Sequence, residues 1–165
     1  MGTKTAPKQA RPAPPPAGRA RTEVRPVRRG DLAAVIAIDA RVTGIEKRAY
    51  WRGIYRRYAD ADAPGRQFLV AADGPVVLGF VIGEVRDWEF GSPPCGWVFA
   101  IDVHPEARQS GLGTMLLAAI ARGFRRAGVT KVRTLLSRDN SLILSFFRSQ
   151  GMMAGPFIPL EMDLD

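Results

Sequence analysis

Cysteine and histidine are almost absent from this chain, which has one of each in 165 residues. Cys95 has no second cysteine to pair with, so an internal disulfide is excluded. One cysteine and one histidine, His104, also supply too few ligands for a typical zinc site. We therefore expect a fold that depends on an apolar core, without metal, in a reducing compartment.

Long apolar runs are missing as well. No stretch approaches the roughly 20 consecutive apolar residues of a membrane span, and the N-terminus lacks the apolar segment of a secretory signal. Position 6, where an N-myristoylation signal has serine or threonine, is Ala6. These absences predict a cytoplasmic protein with no membrane partner.

Acidic residues are absent from residues 1–21, which are rich in proline and contain five basic residues: Lys4, Lys8, Arg11, Arg19 and Arg21. This segment supplies +5 of the formal net charge of +8, so the rest of the chain is only mildly basic. We predict a disordered basic, Pro-rich tail over 1–21 and one folded domain over 22–165. The tail is interpreted either as a solvated segment or as an arm that binds nucleic acid. The oligomeric state is left open between a monomer and a homodimer.

Hydrophobic periodicity predicts the order β-α-α-β-β-β-α-β-α-β, a mixed α/β fold. An Asp-Gly turn at Asp73 and Gly74 joins two of the strands. A helix is predicted over 46–60, and another begins at Leu112 with apolar residues at helical spacing. Further strands are predicted over 131–137 and 157–164.

Two glycines, Gly111 and Gly113, stand at the start of this last apolar helix in the string "EARQSGLGTMLL". Each costs about 1 kcal/mol relative to alanine inside a helix, so the bare backbone must serve a purpose. The first N–H groups of a helix lack internal partners and favour anions, and Arg108 precedes them. This predicts a phosphate site, and close packing of the helix is the alternative.

Two familiar phosphate loops do not fit the spacing. A P-loop would need Gly-Lys-Ser/Thr after four residues, and a dinucleotide-binding fingerprint would need a third glycine where Leu116 stands. The full string "IDVHPEARQSGLGTMLL" instead resembles the acetyl-CoA signature of the GNAT superfamily of N-acetyltransferases, in which Arg/Gln-x-x-Gly-x-Gly/Ala follows a strand and a Val-x-Pro-like turn. Arg108, Gly111 and Gly113 match this signature, with Val103 and Pro105 ahead of them.

A second landmark of the superfamily is similar to "NSLILSFFRSQGM", with Asn140, Phe146, Gly151 and Met152 in register. The resemblance implies the GNAT fold, a mostly antiparallel central sheet of roughly six to seven strands flanked by about four helices. It also implies acetyl-CoA as cosubstrate. The cofactor-binding residues that it implies are Ile101, Asp102, Val103, Arg108, Gln109, Ser110, Gly111, Leu112, Gly113, Thr114, Asn140 and Phe147.

The reaction implied by the resemblance is direct attack of an amine on the thioester, which needs a base for the amine proton. Glu84 and Glu46 are the candidate bases, although a solvated strand end or helix start explains either glutamate as well. Trp97 and Phe99 stand where many relatives carry a glutamate. Phe147 replaces the tyrosine that in many relatives protonates the leaving thiolate, so a general acid is in question.

The acceptor is expected to be a lysine or N-terminal amine of a protein or peptide, because only a short segment follows Gly151 and a large lid is excluded. The alternatives are a small-molecule amine and a catalytically weak module that binds acetyl-CoA for regulation. By strand alternation, Asp102 is expected to face away from the acceptor and from the side of Phe99.

Overall fold

A five-stranded sheet with helices on both faces forms the frame of the molecule. The computed structural model describes residues 22–60, 63 and 65–164, so the tail predicted over 1–21 lies outside the described residues. The strands are β1 (Glu23–Pro26), β2 (Arg66–Asp73), β3 (Val76–Arg86), β4 (Cys95–Val103) and β5 (Val132–Arg133). The α-helices are α1 (Leu32–Thr43), α2 (Arg48–Tyr58), α3 (Leu112–Arg126) and α4 (Ser141–Ser149).

The strands lie in the sheet in chain order, and each neighbouring pair up to β4 is antiparallel. β2 and β3 form the hairpin expected at Gly74, which has a φ of 57°. α3 then crosses over to β5, which is parallel to β4 and pairs only with Gly96 and Trp97. The mixed, mostly antiparallel class predicted from the sequence is therefore confirmed.

Two predicted strands differ from the structure. The strand expected over 131–137 has only two residues, and the segment 157–164 forms no strand. Its alternating apolar side chains are exposed, including Ile158, Leu160 and Met162. A periodic pattern can become a strand only beside a partner, and the two-residue β5 offers almost no edge for pairing. Over the residues that the structure describes, the sheet consequently has five strands rather than six to seven.

Two apolar layers hold the helices to the sheet. α1 and α2 cover one face, with Ile38, Trp51 and Phe80 at the centre of that layer. α3 and α4 cover the other face, where Leu116 and Phe124 are fully buried. α2 is shorter than the helix predicted over 46–60, since it begins at Arg48, two residues after Glu46, and ends at Tyr58.

A β-bulge interrupts the pairing of β3 with β4. Ile82 pairs with Ala100 and Gly83 pairs with Val98, so Phe99 is an extra residue with no partner in β3. The Phe99 ring then contacts Tyr58 of α2 at 5.3 Å, on the same face as Ala100. The prediction that Phe99 and Asp102 face opposite sides is therefore wrong, because the extra residue at the bulge interrupts the alternation of side chains between the two faces.

Candidate active site

A cavity of about 680 Å³ opens where β4 separates from β5. β5 pairs with β4 only at Gly96 and Trp97. From Val98 to Val103 this edge of β4 therefore has no neighbouring strand among the described residues. The N-terminus of α3, the loop after β5 and α4 close the other sides. This volume lies within the roughly 300–1,000 Å³ typical of small-molecule sites.

The first turn of α3 faces this cavity with unpaired backbone donors. Gly111, Leu112, Gly113 and Thr114 all line it, and their N–H groups have no backbone partner among the described residues. No side chain caps the helix at Gly111. Unpaired donors and the positive end of the helix dipole suit an anion such as a phosphate.

The two glycines serve different purposes. Gly111 has a φ of +81°, a left-handed conformation that side chains disfavour, and a Cβ there would meet nothing within 4 Å. At Gly113, a Cβ would lie 3.0 Å from the ring of Phe146. The alternative of close packing therefore applies to Gly113, while Gly111 leaves the backbone open to the cavity.

The other residues of the signature lie around this helix start. Arg108 and Gln109 line the cavity, and Gln109 has a φ of 64° although it is not glycine. Ser110 does not line the cavity, and its hydroxyl donates to the carbonyl of Ala107. Ser110 thus stabilises the turn through its side chain.

The edge of β4 and the start of α4 supply the remaining predicted cofactor contacts. Ile101, Asp102 and Val103 line the cavity, as do Asn140 and Phe147. Asn140 caps α4, because its Oδ1 accepts a hydrogen bond of 3.2 Å from the N–H of Ile143. Phe147 is buried against α3 and offers no hydroxyl that could donate a proton.

The two glutamates predicted as bases lie outside the cavity lining. Glu84 accepts a hydrogen bond of 2.7 Å from Tyr58 and one of 3.1 Å from Arg86. Burial, together with the hydrogen bond to Glu84, raises the pKa of the Tyr58 hydroxyl. Glu46 is exposed and forms an ion pair of 2.7 Å with Arg48.

Two other carboxylates face the cavity instead. Asp39 of α1 is buried, with its Oδ1 accepting from Lys47 at 3.0 Å and its Oδ2 from the Trp51 indole at 2.8 Å. The Asp102 carboxylate accepts no hydrogen bond from any residue that the structure describes. Its burial and the negative charge of Asp39 raise the pKa of Asp102 to about 6, against the opposing effect of Arg108 and Lys47.

At the end of the cavity next to α1 and α2, the side chains that the sequence did not predict are Asp39, Val42 and Lys47. One signal was present. Asp39 stands directly after Ile38 on the apolar side of α1, and a carboxylate on a buried helix face needs fixed partners. In the described part of the chain, no three His, Cys, Asp or Glu residues are grouped so as to hold a metal ion, and no helix could cross a membrane.

The separated strands and the open helix start have the arrangement expected from the resemblance to the GNAT superfamily, and comparison with known proteins gives the family. A model of the acetyltransferase (GNAT) family matches residues 35–152, and the chain belongs to this family.

Curated relatives carry acetyltransferase names. A mycothiol acetyltransferase of Kocuria rhizophila is 36% identical over 89 residues, which are 52% of this chain and 29% of that protein. An L-2,4-diaminobutyric acid acetyltransferase of Nocardia farcinica is 33% identical over 94 residues, or 57% of this chain and 47% of that protein. The chain therefore spans less than half the length of these relatives.

Among solved structures, aminoglycoside N-acetyltransferase AAC(6')-Iy in complex with CoA superposes with a TM-score of 0.77. The match covers 90% of this chain and 97% of that chain at 19% sequence identity. At this level of identity the match shows the fold.

Proposed function

We propose that this protein transfers the acetyl group of acetyl-CoA to a primary amine of a small molecule. One observation carries the proposal: the open edge of β4 meets the unpaired N–H groups of α3 in one cavity. A strand edge can pair with the amides of an extended arm, and a helix start can bind a pyrophosphate. Acetyl-CoA has both parts.

The residues that would hold acetyl-CoA follow from this arrangement. The backbone of Ile101 and Val103 would pair with the pantetheine arm, and the N–H groups from Gly111 to Thr114 would bind the pyrophosphate. Arg108 would add a positive charge beside the phosphates. Bound there, the cosubstrate supplies an activated acetyl group.

A small acceptor is better supported than the protein or peptide amine expected from the sequence. The relatives are named for mycothiol, diaminobutyric acid and aminoglycosides, which are all small molecules. The far end of the cavity also has paired charges, Lys47 with Asp39, next to the aromatic face of Tyr50. Such a lining suits a small polar amine.

The reaction requires the amine to lose a proton before its nitrogen attacks the thioester carbonyl. The C–N bond then forms, the nitrogen releases its second proton to water, the C–S bond breaks, and the thiolate of CoA leaves. Phe147 cannot protonate this thiolate, so the proton would come from water. A thiol has a pKa of about 8.5, so the thiolate leaves readily near neutral pH.

A second candidate function is regulatory binding of acetyl-CoA with little transfer. Phe147 at the tyrosine position and the aromatic Trp97 and Phe99 at the glutamate positions favour it. A nucleic-acid role would depend on residues 1–21.

The first experiment measures the thermal midpoint with and without acetyl-CoA for the wild type, Gly111→Glu and Gly111→Ala. Both variants strain the same left-handed backbone, and only the glutamate adds negative charge in front of the helix start. Acetyl-CoA at 100 times its Kd should stabilise the wild type by about 2.7 kcal/mol, a shift of roughly 5–10 °C. Gly111→Glu should lose this shift, whereas Gly111→Ala should keep most of it.

Release of free CoA thiol then compares L-2,4-diaminobutyrate, an aminoglycoside and a lysine-containing peptide as acceptors. Turnover with a small amine and none with the peptide supports the proposal. Turnover with the peptide and none with the small amines would instead indicate a protein or peptide acceptor. Binding of acetyl-CoA without turnover of any acceptor would favour the regulatory module.

A further inference from the structure

Asp102 is the carboxylate in the cavity whose oxygens are not engaged by a described hydrogen-bond donor. It belongs to the open half of β4, between Ile101 and Val103, whose side chains pack towards α3. Asp102 itself pairs in register with Phe80, on the face covered by α1 and α2. Its carboxylate therefore lies between the open edge of β4 and the acceptor end of the cavity, which is lined by Asp39, Lys47 and Tyr50.

We propose that Asp102 is the catalytic base that takes the proton from the acceptor amine. This inference rests on the proposed function, because it assigns the proton acceptor of that same reaction. An Asp102 oxygen accepts one proton from the acceptor ammonium and leaves a neutral nitrogen lone pair. After transfer, Asp102 releases this proton to solvent and becomes a carboxylate again.

Asp39 cannot perform this step, because both of its oxygens are already bonded, to Lys47 and to Trp51. We assign Asp39 as a positioning residue. Its fixed negative charge lies close enough to disfavour a second carboxylate, and this raises the proton affinity of Asp102. A base with a pKa between those of a free carboxyl group and an amine is effective near neutral pH.

The charged groups facing Asp102 come from three elements. Asp39 approaches from α1, Lys47 from the α1–α2 connection and Arg108 from the loop before α3. The two cations partly offset the repulsion by Asp39, so Asp102 is deprotonated at pH 7 and able to accept a proton. Glu84 and Glu46, the glutamates predicted as bases, do not line the cavity, and their carboxylates pair with Tyr58, Arg86 and Arg48.

The first test needs no turnover. Ligand-free protein labelled with ¹³C at the aspartate carboxyl groups is titrated by NMR from pH 4 to 8, for the wild type, Asp102→Asn and Asp87→Asn. Asp87 is exposed before β4 and serves as the matched control. One resonance should titrate near pH 6 and vanish only in Asp102→Asn. Asp39→Asn should lower its midpoint.

The same labelled protein is then titrated at pH 7 with 1,3-diaminopropane, a small diamine probe. The Asp102 resonance should move on addition of the probe, while the resonance of Asp87 stays in place. If the Asp102 carboxyl titrates near pH 4, or if the diamine leaves it unmoved, Asp102 is not the base. This result would hold whether or not an acceptor is turned over.

The second test is kinetic and uses the amine acetylated fastest in the thiol-release assay. Asp102→Asn should lower kcat/KM by about 10²–10³-fold and abolish the acidic limb near pH 6, while the acetyl-CoA thermal shift persists. Hydroxylamine, which is neutral at pH 7, should be acetylated by the variant nearly as fast as by the wild type. An equal loss with both acceptors would overturn the assignment.

Failure of the proposed function gives a different pattern. A wild type that binds acetyl-CoA and acetylates no amine removes the transferase proposal, and the carboxyl NMR titration then decides on its own whether Asp102 accepts protons from a bound amine.

Discussion

The indole Nε1 of Trp51 donates a hydrogen bond of 2.8 Å to Oδ2 of Asp39, and both residues are at least 95% buried. This contact joins α2 to α1 directly beneath the cavity. The Trp51 ring also packs edge-on against Phe80 of β3, so one side chain connects both helices to the sheet. The acceptor end of the cavity is thus built on the core.

Trp51→Phe keeps an aromatic ring and removes the N–H group. Because Asp39 would be left with only Lys47, we expect a loss of about 2–4 kcal/mol in the free energy of unfolding, from the lost hydrogen bond and the reduced packing. Urea unfolding at pH 7 measures it. Tyr50→Phe is the control, since the Tyr50 side chain is exposed, and it should change stability by less than about 0.5 kcal/mol. Equal effects of both substitutions would contradict this account.

Asp102→Asn should stabilise the protein without ligand, increasingly as the pH rises. The pKa of Asp102 is about 6 in the folded chain and near 3.8 in the unfolded chain, so between these values the folded state binds more protons. The free energy of unfolding of the wild type therefore falls as pH rises through this window, by up to roughly 3 kcal/mol. The asparagine variant lacks this fall. If the free energies of unfolding of the two proteins changed equally from pH 4 to 7, this prediction would be refuted.

Asp31→Asn should show the opposite dependence. The Asp31 carboxylate accepts two hydrogen bonds from Arg25, at 2.7 and 3.0 Å, and one from the Arg28 N–H at 2.7 Å. The bonds from Arg25 are the main cause that holds the pKa of Asp31 below its ordinary value. Its contribution is therefore complete above the unfolded pKa of about 3.8 and is lost as the pH falls through the folded pKa.

For Asp31→Asn we expect a loss of about 1–3 kcal/mol at pH 7 that shrinks on acidification. Chemical unfolding at pH 7 and at pH 3 measures both values. The exposed Asp87→Asn is again the control. A loss that stayed constant with pH would mean that the Asp31 charge is not what stabilises the start of α1.

Gly113→Ala should destabilise the packing of α3 against α4. The added Cβ would lie 3.0 Å from the Phe146 ring, a contact that forces the ring to move. We expect a loss of about 1 kcal/mol. The double variant Gly113→Ala with Phe146→Leu should cost less than the sum of the two single changes, which a double-mutant cycle of unfolding free energies would reveal. Strict additivity would remove Phe146 as the cause.

Local patterns in the sequence predicted the parts of the site that depend on the backbone. The glycine pair at the helix start and the apolar spacing of α3 are each read from a few consecutive residues. The acceptor end was not predictable in the same way, because Asp39 and Asp102 are far apart in the chain and meet only when α1 packs on β4. Because of the bulge at Phe99, Asp102 lies on the same face of the sheet as Phe99, opposite to the expectation. Nothing in the string "WVFAIDV" marks the extra residue.

The two glutamates predicted as bases, Glu84 and Glu46, lie outside the cavity lining. Both are predicted from their positions along single elements, whereas the cavity is lined by residues from several elements that meet only in the folded chain. The segment 157–164 has the alternation of a strand but no edge to join. Pattern alone therefore defines which face is apolar, and only the tertiary neighbours define whether a strand forms.

The half of β4 that pairs with no described strand also affects how the protein behaves when no ligand is bound. An exposed row of backbone donors and acceptors can pair with any extended chain, including another molecule of the same protein. Occupancy of the cavity would cover this row, so the supply of cosubstrate would also govern self-association. Concentrated preparations should form aggregates sooner when depleted of CoA, and light scattering would follow that difference over time.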